Sequence, residues 1–157
     1  MKWAVVYIAA LVTANILVAV FGPKVSVINA FLLIGLDLSL RDKLHDLWRG
    51  DRLIAKMGGL IVVAGAISYL MNQAAGPIAI ASCVAFCASM AADAVFYEIL
   101  KHQNKTVQIN GSNIAGAAVD SVVFPTLAFG GLMWEIVALQ FFAKTIGGFV
   151  WAKVLKK

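Results

Sequence analysis

Apolar residues in this sequence come in blocks, not in a rhythm. The first block reads WAVVYIAALVTANILVAVF, residues 3–21, and holds no charged side chain. A helix made from it is apolar all round, with no polar face to turn toward water, and is stable only inside a large core or in lipid. A chain of 157 residues, 62% hydrophobic and only 13% charged, has too little polar surface to cover such a core. Lipid is then the solvent for most of the chain, which admits only helices or a closed barrel, because every backbone polar group must be satisfied internally. Barrel strands would show alternating segments of about ten residues, whereas these blocks approach the roughly 20 residues that a helix needs. The sequence therefore predicts an all-α polytopic membrane protein.

Six candidate spans follow: 3–21, 25–40, 53–71, 77–100, 111–132 and 134–155, read as one transmembrane domain over residues 1–157. Gly22-Pro23 and Gly76-Pro77 punctuate the boundaries, as residues that break helices do. The first block is long for a signal peptide and no small-x-small cleavage site follows it, so it reads as a retained helix. Alternating the connections across the membrane puts almost every Lys and Arg on one side. Lys2, Lys43, Arg49, Arg52, Lys56, Lys101, Lys105, Lys153, Lys156 and Lys157 share that side, and Lys24 stands on the other. The positive-inside rule places both termini in the cytoplasm, which an even number of spans requires. The net charge of +5 thus reads as a topology signal with attraction to anionic lipid. No basic patch with interleaved aromatics points to nucleic acid.

Against this background the charges inside the spans stand out. The second span, FLLIGLDLSLRDKLHDLW, begins apolar and then carries Asp37 and Arg41 one turn apart. An unpaired acid in hydrocarbon costs roughly 3 kcal/mol, so an ion pair between them is the simplest expectation. Leu40, Leu44, Leu47 and Trp48 continue an apolar stripe past the membrane, with Lys43, Asp46, Arg49 and Asp51 as a solvated helix end. Further polar groups are Asn15, Asn29, Asp93, Glu98 and Asp120, and Lys144 with Gln140 one turn before it. Asp120 and Lys144 lie deepest. Either they form a buried pair holding two helices together, or they line a polar site at the midplane. A bundle needing only adhesion could use Ser, Thr or small-residue packing at lower cost, which favours the site. In the fifth span Asn113 and Asp120 are seven residues apart on one helical face. Ser112 and Ser121 flank them, Gly116 lies between, and Pro125 frees a carbonyl near Ser121. Spans two and five, each the middle of a three-span half, both carry an Asn followed by an Asp, the pattern of a 3+3 inverted repeat.

Other signals are bland. Cys83 and Cys87 share a face of the fourth span without a nearby His, and read as small packing residues; no metal site or cofactor is expected. His45 and His102 fall in the polar connections. There is no GxxxxGK[ST] loop, HExxH or nucleophile elbow, so an enzyme is poorly supported. The stripe Ala81, Ala85, Ala88 and Ala92 suits close helix approach, and a bundle so small with such stripes suits a homo-oligomer.

The segments ANILV around Asn15, FLLIGLDLSLRDKL, SNIAGAAVDSVVFPTLAF and LQFFAKTIGG together resemble the queuosine precursor transporters of the vitamin uptake transporter family, six-span bacterial membrane proteins. The resemblance puts Asp37 on the second-helix aspartate and Arg41 on a position that varies. It puts Asp120, Ser121 and Phe124 on the fifth-helix Asp-Ser/Thr-x-x-Phe motif, and Lys144 on the last-helix lysine. The chain is shorter than typical members. It also lacks their arginine before the fifth helix, where Lys105 is nearest, and the proline after the last-helix lysine. The resemblance implies a bacterial cytoplasmic (inner) membrane location and import of a 7-deazaguanine. A guanine-like edge presents N1–H and an exocyclic amine that one carboxylate accepts together. Asp120 or Asp37 suits that role. Asn15, Asn113, Gln140 and Lys144 suit the ligand's oxygen or orient the acids, and Phe124 and Phe141 are candidate stacking surfaces. Arg41 and Asp93 are candidates for a structural or coupling role. The rival readings are a structural or assembly protein whose charges only pack helices, and a carrier for another small polar metabolite.

Overall fold

The computed structural model describes residues 2–48 and 52–155, without the side chains of Asp42, His45, Asp46, Leu53, Ile54, Lys105, Thr106 and Ala152. The expectations placed on Arg49, Asp51, Lys156 and Lys157, and on the side chains of His45, Asp46 and Lys105, lie outside the described residues.

Six helical rods form the bundle. They are α1 (Lys2–Phe21), a second rod made of α2 (Pro23–Asn29), a π-helical turn (Ala30–Ile34) and α3 (Gly35–Leu47), then α4 (Leu53–Met71), α5 (Gly76–Ile99), α6 (Lys105–Phe129) and α7 (Trp134–Leu155). Five stretches are long and apolar enough to cross a membrane, and Ala55–Met71 is a shorter apolar helix. The chain turns from α1 to α2 at Gly22, whose φ of 74° is cheap only without a Cβ. Pro23 then opens the next helix, where its missing N–H costs nothing.

Two boundaries differ from expectation. The fifth helix starts at Lys105 and not at residue 111, because Asn104 caps it: its Oδ1 accepts from the Val107 amide at 2.9 Å. It stops at Phe129, where Gly130 takes φ 74° in the left-handed region. Asn104→Ala is expected to lower stability by about 1 kcal/mol, read as a lower unfolding temperature with uptake otherwise unchanged. The apolar stripe at the end of the second rod continues to Trp48, which packs on the buried cluster, but leaves out Leu47. Leu40 and Leu44 are buried, but Leu47 is 61% exposed.

Lys43 fixes the end of the bundle that carries most of the basic residues. Its ammonium donates to the Leu155 carbonyl at 3.0 Å and sits 4.3 Å from the Trp3 ring centroid. The start of α1 and the end of α7 therefore meet the end of α3 on one side, and both termini share it. Tyr7, Leu40, Leu44, Met57 and Ile61 form the buried apolar cluster of α1, α3 and α4. Glu98 is exposed on the bundle surface near the end of α5 and pairs with Lys101, one turn on.

Small residues set two close approaches. Gly116 on α6 faces Ser89 on α5; a Cβ there would come within 3.1 Å of the Ser89 hydroxyl. On the other side α7 crosses the π turn backbone to backbone. A Cβ on Gly35 would lie 2.7 Å from the Gly147 carbonyl carbon, and one on Gly147 would be 3.1 Å from the Phe31 carbonyl carbon. These contacts bring α3, α6 and α7 close enough for mid-helix side chains to meet.

Candidate functional site

Lys144 lies halfway along α7 with its side chain 3% exposed, and its ammonium donates to Asp120 Oδ2 on α6 at 2.5 Å. One turn earlier on the same face, Gln140 Oε1 accepts a second hydrogen bond from Lys144 at 3.1 Å. The Gln140 amide donates to the Ser26 hydroxyl at 2.8 Å, and Ser26 in turn donates to the Pro23 carbonyl at 2.5 Å. Charge and hydrogen bonds thus run from α6 through α7 to α2. The pair does hold helices together, yet it is not sealed. The Asp120 side chain keeps 21% of its surface exposed.

That exposed surface faces a cavity of about 70 Å³, in a measure where one water takes about 10–15 Å³. Its polar wall includes Asn15, Asn29, Asp37, Arg41, Asp120 and Lys144, with Phe86 and Phe124 as aromatic surfaces. The π turn explains how Asn29 and Asp37 come to share this wall. Eight residues along a regular α-helix would rotate them about 80° apart, whereas a π turn takes up one extra residue and returns them to nearly one face. No sequence periodicity announced that turn.

Several expected residues occupy other positions. Asn15 reaches the cavity, but its amide is already engaged: it donates to Ser68 at 3.2 Å and accepts from Ser82 at 2.8 Å, tying α1 to α4 and α5. Asn29 donates to the Ala14 carbonyl at 3.1 Å. The expected Asp37–Arg41 ion pair is not among those within 4.0 Å in the described residues. Asp37 instead lies close enough to Tyr7 to act on its hydroxyl, and Arg41 lies over the Phe86 ring, 5.9 Å from its centroid. Asn113 lines a second cavity of about 220 Å³ between α3, α6 and α7, with Asn110, Thr145 and Lys144, so Lys144 has a share in both spaces. Ser121 is fully buried outside both cavities, with its hydroxyl unpartnered among the described residues. Asp93 packs against the Gly116 position with one buried oxygen lacking a hydrogen bond among the described residues, also outside both. Phe124 lines the first cavity and meets Phe129 edge-on, while Phe141 meets Phe142 and lines neither.

The residues that sequence reasoning missed are Ser26, Ser82, Ser89 and Phe86, all in the first cavity's wall. Ser82 and Ser89 are seven residues apart on α5, a helical spacing that would have placed them on one face. Ser26 carried no signal, because a serine near a helix start is commonplace. Among the described residues no group of three or more metal-ligating acidic, His or Cys side chains gathers, and Cys83 and Cys87 are free thiols.

Residues 3–155 match the family described as "Putative vitamin uptake transporter". The chain belongs to the vitamin uptake transporter family. No curated protein and no solved structure matches it. Vitamin uptake transporters move small molecules across a membrane and are not enzymes, in keeping with an all-helical bundle whose charges gather around an internal space. In this vitamin uptake transporter Asp37, Asp120 and Lys144 all line the space between the helices.

Proposed function

We propose that this vitamin uptake transporter imports a 7-deazaguanine, a base precursor of queuosine, through the cavity between α1, α3, α6 and α7, in the cytoplasmic membrane of a bacterium. The observation that carries this reading is the state of Asp120. Its carboxylate is oriented by a buried lysine yet stays partly exposed to the cavity, so it has lone pairs left for a guest. A guanine-like edge offers two adjacent N–H donors, a match for one carboxylate. Asp37 supplies a second acceptor in the same wall lining and Phe124 a ring surface. In this reading Gln140 and Lys144 hold Asp120 in place, Asn15 shapes the wall, and Asn113 and Lys144 border the onward space. The scaffold reading is favoured by the hydrogen-bonded chain from Asp120 to Ser26, but it leaves the cavity without a purpose.

The test is uptake of radiolabelled precursor into bacteria that lack their own transporter. Expression of this chain is expected to raise uptake at least about tenfold over the empty vector, an effect worth roughly 1.4 kcal/mol if expressed as binding. Ordinary guanine, which carries the same paired donor edge, should compete, and adenine, which lacks it, should not. Equal competition by a broad set of polar metabolites would point to a carrier of another class, and no uptake of any of them would leave the scaffold.

A further inference from the structure

Two cations stand in the wall of the first cavity, and they are in different states. Lys144 has a carboxylate and an amide oxygen as partners. Arg41, 5% exposed, has neither: among the described residues its guanidinium makes no hydrogen bond and no ion pair. It lies over the Phe86 ring, and a ring contact uses none of the five N–H donors that a guanidinium carries. Asp37 stands one turn away on the same rod and tempers the local charge without pairing with Arg41 within 4.0 Å. A guanidinium cannot escape this situation by losing its proton. Water can serve its donors while the cavity is empty, but a ligand that fills the cavity displaces that water and must replace its hydrogen bonds.

We propose that Arg41 is a specificity residue that receives the acceptor edge of the transported ligand, either a carbonyl beside a second acceptor or a carboxylate. A ligand carrying an ammonium at that edge is excluded by like charge. The inference rests on the reading of this cavity as the transport site, and it adds what that reading left open, the chemistry of the ligand's far edge. The donor edge goes to Asp120 and the acceptor edge to Arg41, so a flat ring bridges α6 and α3. On a 7-deazaguanine the far edge holds the ring carbonyl and the substituent at C7. A nitrile there is an acceptor; an aminomethyl group is a cation at neutral pH.

The experiment is a binding titration of the purified full chain in detergent with 7-cyano-7-deazaguanine, 7-aminomethyl-7-deazaguanine and nicotinate, a flat ring carboxylate. Wild type is expected to bind the nitrile about 10- to 100-fold more tightly than the amine, the range for hydrogen bonds to a charged group. Arg41→Gln should erase that ratio, and Arg41→Lys, which keeps the charge without the planar fork, should retain part of it. Equal wild-type affinities for nitrile and amine would overturn the proposal without needing any variant to fold. An unchanged ratio in a folded Arg41→Gln protein would overturn it too, while leaving the transport reading intact. Binding of nicotinate but of neither deazaguanine, lost in Arg41→Gln, would support the role of Arg41 and refute the deazaguanine substrate. Binding of none of the three would refute both.

Discussion

Lys144→Met is expected to abolish uptake and to destabilise the fold by about 3–5 kcal/mol, the usual cost of removing one partner from a buried ion pair. The reason lies in what the lysine leaves behind. Asp120 would remain as an uncompensated carboxylate at mid-helix depth, and Gln140 would lose the donor that orients its oxygen toward the pair. The double variant Asp120→Asn/Lys144→Met separates adhesion from transport. With both charges gone, no uncompensated ion remains, so the unfolding temperature should recover toward wild type. Uptake should not recover, and should stay at least about 100-fold down, because the carboxylate that accepts the ligand's paired donors is gone. Thermal unfolding of the detergent-solubilised protein and cellular uptake measure the two effects independently. A double variant that is stable and transports normally would show that the pair only holds helices together.

Gly147→Ala should be nearly as damaging, although it adds only a single methyl group and removes no charge. That methyl would meet the Phe31 backbone of the π turn, including its carbonyl carbon at 3.1 Å, and a backbone cannot rotate aside as a side chain can. The helices must separate, which costs about 3 kcal/mol, at the upper end for an overpacked core. Separation here would also disturb the cavity wall, since the π turn sets the facing of Asn29 and Asp37. The control is Gly148→Ala, whose new Cβ would lie 3.7 Å from Leu38 Cδ1, an ordinary contact. It should change the unfolding temperature little. Similar losses at both positions would mean that the tight crossing is not what the Gly-Gly pair provides.

Part of the site is legible in the sequence alone. Asp120, Lys144, Asp37 and Gln140 are suspect because each is a polar residue in an apolar run, Phe124 because of the family resemblance, and all five line the first cavity. The same logic overreaches at Ser121 and Asn113. Ser121 adjoins Asp120 in sequence, but neighbours on a helix point about 100° apart, so one can face the cavity while the other is buried elsewhere. Asn113 shares a face with Asp120 but lies two turns away, far enough to enter a different space. Asp37 and Arg41 at i, i+4 had the spacing to pair, yet in the structure Arg41 lies over the Phe86 ring from another helix.

By itself the sequence determined that this is a helical membrane protein, and it set expectations for its spans and for the side its ends share. Those properties come from the transfer of each segment into lipid and from the charge next to it, sums that each segment settles alone. Only the tertiary structure decided which polar groups meet, that the second rod opens into a π turn, that two glycines bring backbones together, and that Arg41 lies over the Phe86 ring. Those outcomes depend on how each helix is rotated against its neighbours. That rotation is set by packing between distant segments, which no single stretch of sequence contains.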